Sequence, residues 1–188
     1  MCHAVPSTFN FFRLLWLADK ELAAETKAAG CSCGGILHCA NYPRKPRGCP
    51  NEFLADFKRR FSFCCNLCRR RTTSESVRFL GRRVYLALVV VLKSSRHATH
   101  SPLAALLSAT LEIPIRTLQR WRQWWLKQFP LTPLWQANCA SFMPPVANAL
   151  FPAGLLERFV GDAEDGLMKF LEFLSPLTVG PVTICEGR

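Results

Sequence analysis

Residues 103–122, LAALLSATLEIPIRTLQRWR, carry the clearest periodic pattern in the chain. Their apolar positions recur at intervals of three and four residues, as on one face of an amphipathic helix. Ser101-Pro102 is typical of a helix start. Pro114 predicts the start of a second helix, which ends near Gln128, before the Phe129-Pro130 pair. The stretch therefore predicts a helix-turn-helix, whose inward face is formed by Leu106, Leu107, Ile113, Leu118 and Trp121 or Trp125.

The outward face of the second predicted helix is strongly basic. No acid occurs from residue 113 to residue 130, whereas an ordinary solvent-facing helix mixes both signs of charge. Arg can bind guanine and Gln can bind adenine through paired hydrogen bonds in the DNA major groove. The candidate base-reading residues fall at helical spacing and are Arg116, Gln119, Arg120 and Gln123. The candidate phosphate-contacting residues beside them are Arg122 and Lys127. The alternative is an amphipathic core helix with a solvated charged face.

Positive charge is concentrated in the middle of the chain. Residues 41–130 hold 18 Lys and Arg side chains against four acids, and the whole chain has a net charge of +11. Such an excess favours a polyanionic partner or an anionic membrane surface, and the predominance of Arg suits bidentate phosphate contacts. Double-stranded DNA is the partner that we expect. Outside the predicted helix, the candidate phosphate-contacting residues are Arg44, Lys45, Arg47, Arg69, Arg70 and Arg71.

Two close cysteine pairs precede this helical region. Cys31 and Cys33 are followed by two glycines, and Cys65 and Cys68 are followed by three arginines. This layout is typical of a zinc ribbon, in which four thiolates bind one tetrahedral ion and glycine allows the tight turns. We therefore predict a structural Zn²⁺ bound by Cys31, Cys33, Cys65 and Cys68. The first pair is C-x-C rather than the commoner C-x2-C, so either its turn is tighter than usual or another residue joins the ligand set. The residues close enough in sequence to replace a ligand are His38, Cys39, Cys49 and Cys64. The alternative is that the thiols are free or buried.

The composition divides the chain into four parts. Residues 1–29 are predicted to form a packing helix, whose polar face includes Arg13, Asp19, Lys20 and Glu21. Residues 30–75 are predicted to form the zinc-ribbon-like β/loop module. Residues 76–130 are predicted to contain a helix from Val77 to about Ser94, capped by Ser74 or Ser76, and then the helix-turn-helix.

Residues 131–188 form the fourth part, which is rich in proline and acids. Helices are predicted at Leu155–Val160 and Gly166–Leu174, in a packing or protein-contact region. The tryptophans from 121 to 135 are predicted to pack in the core, and stacking on single-stranded bases is the alternative. The predicted class is thus mostly α, with a small zinc-ribbon-like module followed by a helical bundle.

The sequence gives no sign of a membrane segment or an export signal. The longest uninterrupted apolar run, from residue 84 to residue 92, is far shorter than the roughly 20 residues that span a bilayer. The first residues lack the basic region and the cleavage site of a secretory signal. We therefore expect a cytoplasmic protein with no membrane partner.

The segment TLQRWRQWW after a short helix resembles the helix-turn-helix of bacterial insertion-sequence transposases. The preceding cysteine pairs are similar to the N-terminal zinc ribbon of those proteins. The segments NYPRKPRG, RFSFCCNLCRRRTTSESVRFLGRRVYLALVVVL and LLERF also resemble a group of uncharacterised bacterial transposase-like proteins. The likeness spans about residues 31–160. It implies that Cys33, Cys65 and Cys68 occupy ribbon ligand positions, whereas Gly30 stands where the first ligand is expected, one residue before Cys31.

Catalysis is not expected. A DNA-cutting transposase gathers carboxylates around two metal ions on an RNase-H-like fold, and the residues after 130 are too few to form one. The sequence also lacks G-x-S-x-G, phosphate-loop and H-E-x-x-H motifs. We expect a non-catalytic DNA-binding protein that recognises mobile-element ends or regulates transcription, alone, as a homodimer or with a transposition-complex partner. The alternatives are a degenerate remnant acting as a structural or protein-interaction module, and RNA binding through the ribbon.

Overall fold

The computed structural model describes residues 5–80, 85–95, 113–179 and 183–184. Over these ranges the chain is mostly helical with a small sheet module, which confirms the predicted mostly α class. The helices are α1 (Val5–Ala29), α2 (Leu54–Phe57), α3 (Ala87–Ser94), α4 (Ile115–Gln123), α5 (Pro133–Asn138), α6 (Ala153–Leu156) and α7 (Ala163–Leu174). The strands are β1 (Leu37–Cys39), β2 (Tyr42–Pro43), β3 (Arg59–Arg60), β4 (Ser62–Cys65), β5 (Arg70–Thr73) and β6 (Thr183–Ile184). Short 3₁₀ turns lie at Asn51–Phe53, Phe129–Leu131, Cys139–Ser141, Asn148–Leu150 and Ser175–Thr178.

The antiparallel pairing of β1 and β4 brings the two cysteine turns to the same end of the sheet. The larger sheet has the strand order β1-β4-β5-β6, and β2 pairs with β3 separately. Leu37 lies opposite Cys65, and Cys39 lies opposite Phe63. Because Leu37 begins β1 and Cys65 ends β4, the turn before β1 and the turn after β4 are neighbours.

Helix α1 contributes to two apolar clusters, as expected of a packing helix. Near its start, Phe11, Phe12 and Leu15 are buried in the larger cluster with the helical bundle. Two turns further on, α1 packs against the sheet module, in a smaller cluster formed by Ala23, Leu37, Phe63 and Cys65. The helical bundle and the sheet module are thus packed on one helix.

Helix α3 lies at the centre of the bundle. Its residues 87–92 are all buried, which is the pattern of a helix that is apolar on every side. It packs against both α4 and α7. The tryptophans complete this core: Trp121, Trp125 and Trp135 are buried, as the packing interpretation predicts, and the Trp125 ring stacks on Phe170 at a centroid distance of 6.1 Å.

Asp19 departs from its predicted place on the polar face of α1. It is fully buried, and its carboxylate forms an ion pair of 2.6 Å with Nε of Arg78. The same carboxylate accepts hydrogen bonds from the Ser76 hydroxyl at 2.6 Å and from the Val77 N–H at 2.7 Å. Arg78 also donates to the carbonyl of Asp56 at 2.7 Å, so both buried charges are compensated.

The helix predicted from Val77 is also wrong at its start, because α3 begins at Ala87. The Ser76 hydroxyl does not cap a helix: it donates to Asp19 and accepts the N–H groups of Arg78 and Phe79. Phe79 forms an antiparallel bridge with Leu86. The buried carboxylate thus fixes an irregular, extended segment where apolar composition favoured a helix.

The second helix of the predicted helix-turn-helix is α4, which starts directly after Pro114. It continues as a π-helical turn, Trp124–Gln128, up to the predicted end at Gln128. The first helix, predicted at residues 102–110, lies outside the described residues. The helix predicted at Gly166–Leu174 lies within α7, which begins three residues earlier because Asp162 caps it by accepting the N–H groups of Glu164 and Asp165. The helix predicted at Leu155–Val160 is wrong in its bounds, because the single turn α6 ends at Leu156. In the described ranges, no helix has the length and apolarity that a bilayer crossing requires.

Candidate metal centre and nucleic-acid interface

Each cysteine pair lies on a tight turn. In the first turn, the Gly34 N–H donates to the Cys31 carbonyl at 2.8 Å, and the Cys31 N–H donates to the Gly35 carbonyl at 3.2 Å. Asn66, in the second turn, joins the two: its side-chain carbonyl accepts the Ile36 N–H at 2.8 Å, and its own N–H donates to the Ile36 carbonyl at 3.0 Å. The two turns are therefore held face to face by hydrogen bonds that need no metal.

The four predicted ligands converge. The sulfur atoms of Cys31, Cys33, Cys65 and Cys68 all lie within 4.8 Å of one another. The Sγ–Sγ distance is 3.5 Å for Cys31 to Cys68, for Cys33 to Cys31 and for Cys33 to Cys65. A tetrahedral zinc with Zn–S bonds of about 2.3 Å places its sulfurs about 3.8 Å apart. These three distances lie within about 0.3 Å of that value, so the four sulfurs are close enough together to hold one metal ion.

Gly35 makes this approach possible. A Cβ atom at residue 35 would lie 2.4 Å from Sγ of Cys65 and 2.9 Å from the side-chain oxygen of Asn66. Gly34 serves the turn differently, because its φ of +81° is a conformation that residues with a side chain rarely adopt. The two glycines thus allow the backbone conformation of the first turn and its close approach to Cys65.

The thiols already differ in their affinity for protons. Burial raises the pKa of Cys65, but hydrogen bonds from the backbone N–H groups of Cys68 and Leu67 and from the Cys33 and Cys68 thiols outweigh it, so that the pKa is lowered to about 6. The Arg70 N–H lowers the pKa of Cys68, but burial and hydrogen bonds with the other three sulfurs outweigh it and raise the pKa to about 12. A thiolate, the form that binds metals, is thus stabilised at Cys65.

The neighbouring substitutes lie outside the cluster. His38 and Cys39 are exposed on β1. The Cys64 thiol donates to the carbonyl of Arg69 at 3.7 Å, and burial raises the pKa of Cys49 to about 12. The structure thus brings together the four cysteines that the spacing favoured and none of these four substitutes.

The predicted base-reading stripe lies exposed on α4, where Thr117 and Trp121 are the buried residues. Its side chains line a groove of about 780 Å³, formed by Arg116, Gln119, Arg120, Gln123, Trp124 and Gln128. Arg122 and Lys127 are also exposed. The four residues predicted to contact bases are therefore side by side on one accessible surface.

Arg47 lies close to this helix. Its guanidinium lies 5.6 Å from the Tyr85 ring centroid and donates to the Tyr85 hydroxyl at 3.3 Å. The Tyr85 ring in turn contacts the Trp121 ring of α4 edge-on at 5.1 Å. The sequence did not predict this role of Tyr85, because a single aromatic residue in an apolar run does not indicate that it contacts both a distant arginine and a tryptophan of another helix. Lys45 is exposed in the same loop, and Arg44 is half-buried with its guanidinium 5.6 Å from the Tyr42 ring centroid.

Several cations of the basic region have structural partners instead. Arg71 donates to the Ala40 carbonyl at 2.7 Å and is half-buried, whereas Arg69 and Arg70 beside it are exposed. Arg60 is buried and donates to the Ser74 carbonyl at 2.6 Å, and burial lowers its pKa. The surface charge is thus smaller than the count of basic residues indicates.

No family model matches this chain, and neither a curated protein nor a solved structure shows significant similarity to it. The resemblance to transposase-like proteins stays a prediction.

Proposed function

We propose that this protein binds duplex DNA, with α4 in the major groove and the loop around Arg47 on an adjacent phosphate backbone. The observation that carries the proposal is the exposed, acid-free stripe of Arg116, Gln119, Arg120 and Gln123. Two guanidinium groups and two amides at helical spacing match the donors and acceptors of guanine and adenine edges. The role would be recognition of mobile-element ends or of a promoter, with no catalytic step by this chain.

The contact between Arg47 and Tyr85 supports a combined surface. A helix in the major groove is oriented by phosphate contacts on either side of it. Arg47 is exposed and is attached through Tyr85 to Trp121, on the buried side of α4. The phosphate-contacting set that we propose comprises Lys45, Arg47, Arg122 and Lys127.

We propose that the four-cysteine cluster holds a structural Zn²⁺. Zinc suits four thiolates in tetrahedral geometry, and the preformed turns explain why no other residue is needed. When bound, the ion would fix the two cysteine turns. Cys65 is the last residue of β4, and Cys68 is the last residue of the turn that follows it. The exposed Arg69 and Arg70 follow directly and would be held in place with them.

Binding of labelled duplex DNA at increasing salt concentration tests the proposal. We expect the logarithm of the affinity to fall linearly with the logarithm of salt, with a slope of about −0.9 for each phosphate contacted. Arg116→Ala with Arg120→Ala should lower the affinity for a selected target by about 1–3 kcal/mol for each base that α4 no longer binds. The matched control, Arg13→Ala with Lys20→Ala, removes two exposed charges from α1 and should have little effect.

Three results would overturn the assignment. Equal losses from the α4 pair and the α1 pair would show that binding is only a response to net charge. Tighter binding of structured RNA than of duplex DNA, abolished by Arg69→Ala with Arg70→Ala, would instead assign the ribbon to RNA. Absence of any nucleic-acid binding would favour a structural or protein-interaction role.

A further inference from the structure

A second groove lies between α1 and α7, lined by neither the metal ligands nor the α4 stripe. Its volume is about 440 Å³. The helix α1 supplies residues at positions 11, 14, 17, 18 and 21, which form one stripe at helical spacing. The helix α7 and its N-cap supply Asp162, Glu164, Asp165, Met168 and Glu172.

The floor of this groove is apolar and accessible. Leu14 is 51% exposed and Leu17 is 37% exposed, while Phe11 beneath them is fully buried in the core. Met168 contributes from the α7 side and is half-buried. Leu14 and Leu17 are one helical turn apart and form an exposed apolar surface on which a further helix can pack.

The rim of the groove is acidic, although the chain is basic. Five of the thirteen acids in the sequence line this groove. Asp162 is used as the cap of α7, and Asp165 pairs with Lys169 at 3.2 Å. Glu21, Glu164 and Glu172 form no ion pair within the described part of the chain. Burial and the neighbouring Asp162 raise the pKa of Glu164, so a positive charge brought to this rim would favour its ionised form.

We propose that this groove binds a basic amphipathic helix of a partner protein. Apolar side chains of that helix would pack on Leu14 and Leu17, and its Lys or Arg side chains would pair with Glu21, Glu164 and Glu172. The pattern required of the partner is apolar residues at intervals of three and four, flanked by bases. This inference is independent of the proposed DNA binding, because the groove shares no residue with the α4 stripe.

A second copy of this chain fits the groove less well. Among the described helices, the strongly basic one that a copy could offer is α4, whose one exposed large apolar side chain is Ile115. One such side chain cannot cover both leucines. The net charge of +11 also opposes contact between two copies. A partner helix with an apolar stripe flanked by bases can both pack on the exposed leucines and pair with the acids of the rim.

Fluorescence anisotropy with a labelled model peptide tests this proposal. The probe repeats Leu-Lys-Lys-Leu-Leu-Lys-Leu over about four helical turns. We expect saturable binding, weakened about tenfold by Glu21→Lys with Glu172→Lys and about tenfold by Leu14→Ser with Leu17→Ser. The matched controls are Glu52→Lys with Glu157→Lys, and Leu131→Ser with Leu150→Ser, which change exposed residues outside the groove and should alter binding less than about twofold.

Several outcomes would overturn the proposal. If a peptide with Ser in place of Leu binds equally well, the site is only a cation-binding surface. If the control variants weaken binding as much as the groove variants, the peptide responds to overall charge. If sedimentation shows self-association that the groove variants abolish, the occupant is a second copy. Circular dichroism melts establish that each variant is folded before its affinity is compared.

Discussion

The Asp19 carboxylate and the Nε atom of Arg78 lie 2.6 Å apart, and both side chains are fully buried. Three donors reach this one carboxylate, from Ser76, Val77 and Arg78. The pair therefore fixes α1 to the segment between β5 and α3.

Asp19→Asn should destabilise the protein by about 3–5 kcal/mol, because it leaves the buried Arg78 charge without its counter-ion. Asp165→Asn is the matched control. Its pair with Lys169 is exposed, so its removal should cost only about 0.3–0.5 kcal/mol. Urea unfolding followed by circular dichroism measures both. Similar destabilisation of the two variants would contradict the role given to the buried pair.

The protein purified without added metal should contain about one zinc ion per chain by elemental analysis. Cys33→Ser should lower this content below about 0.2 equivalents and lower the melting temperature, because three thiolates bind zinc less tightly than four. Cys39→Ser removes an exposed thiol outside the cluster and should change neither. Full zinc content in the Cys33→Ser protein would remove Cys33 from the ligand set.

The affinity for metal should rise with pH. The pKa of Cys68 is raised to about 12 in the metal-free cluster, so this thiol keeps its proton at neutral pH and must release it when it binds an ion. The expected rise is about tenfold per pH unit for each proton released. As the pH falls through about 6, Cys65 also becomes protonated and the affinity should fall more steeply. Competition with a chromophoric chelator measures this dependence, and an affinity independent of pH would exclude thiolate ligation.

Gly35→Ala should impair metal binding, because the added Cβ would lie 2.4 Å from Sγ of Cys65. Gly34→Ala provides the comparison. A Cβ at residue 34 meets nothing within 4 Å, so only its backbone conformation opposes the substitution. That cost is about 1–2 kcal/mol of stability, with zinc content retained. Loss of zinc from both variants, or from neither, would show that the close approach of Gly35 is not what matters.

The sequence predicted the four-cysteine cluster better than the rest of the fold, because the determinants of the cluster are local. A turn with two cysteines and two glycines sets its own geometry, and the pairing of β1 with β4 needs only to bring two such turns together. The start of α4 is likewise local, since Pro114 determines it.

The misplacement of Asp19 has the opposite cause. Helical periodicity placed it among charged neighbours, but its partner Arg78 is 59 residues away in sequence. The same pairing uses the Ser76 hydroxyl and the Val77 N–H, which are therefore not free to start the predicted helix. Burial of charge depends on a distant partner, which periodicity in a single sequence does not reveal.

Because α1 contributes to both apolar clusters, it also determines whether the sheet module can be transferred to another protein by itself. The small cluster holds few large side chains, and one of its four buried members is Ala23 of α1. The first half of the same helix is anchored in the larger cluster by Phe11, Phe12 and Leu15. Residues 30–75 would consequently not fold well when transferred alone to another protein. A transferred segment would have to include α1, and the phenylalanines of α1 would then be exposed unless the new protein covered them.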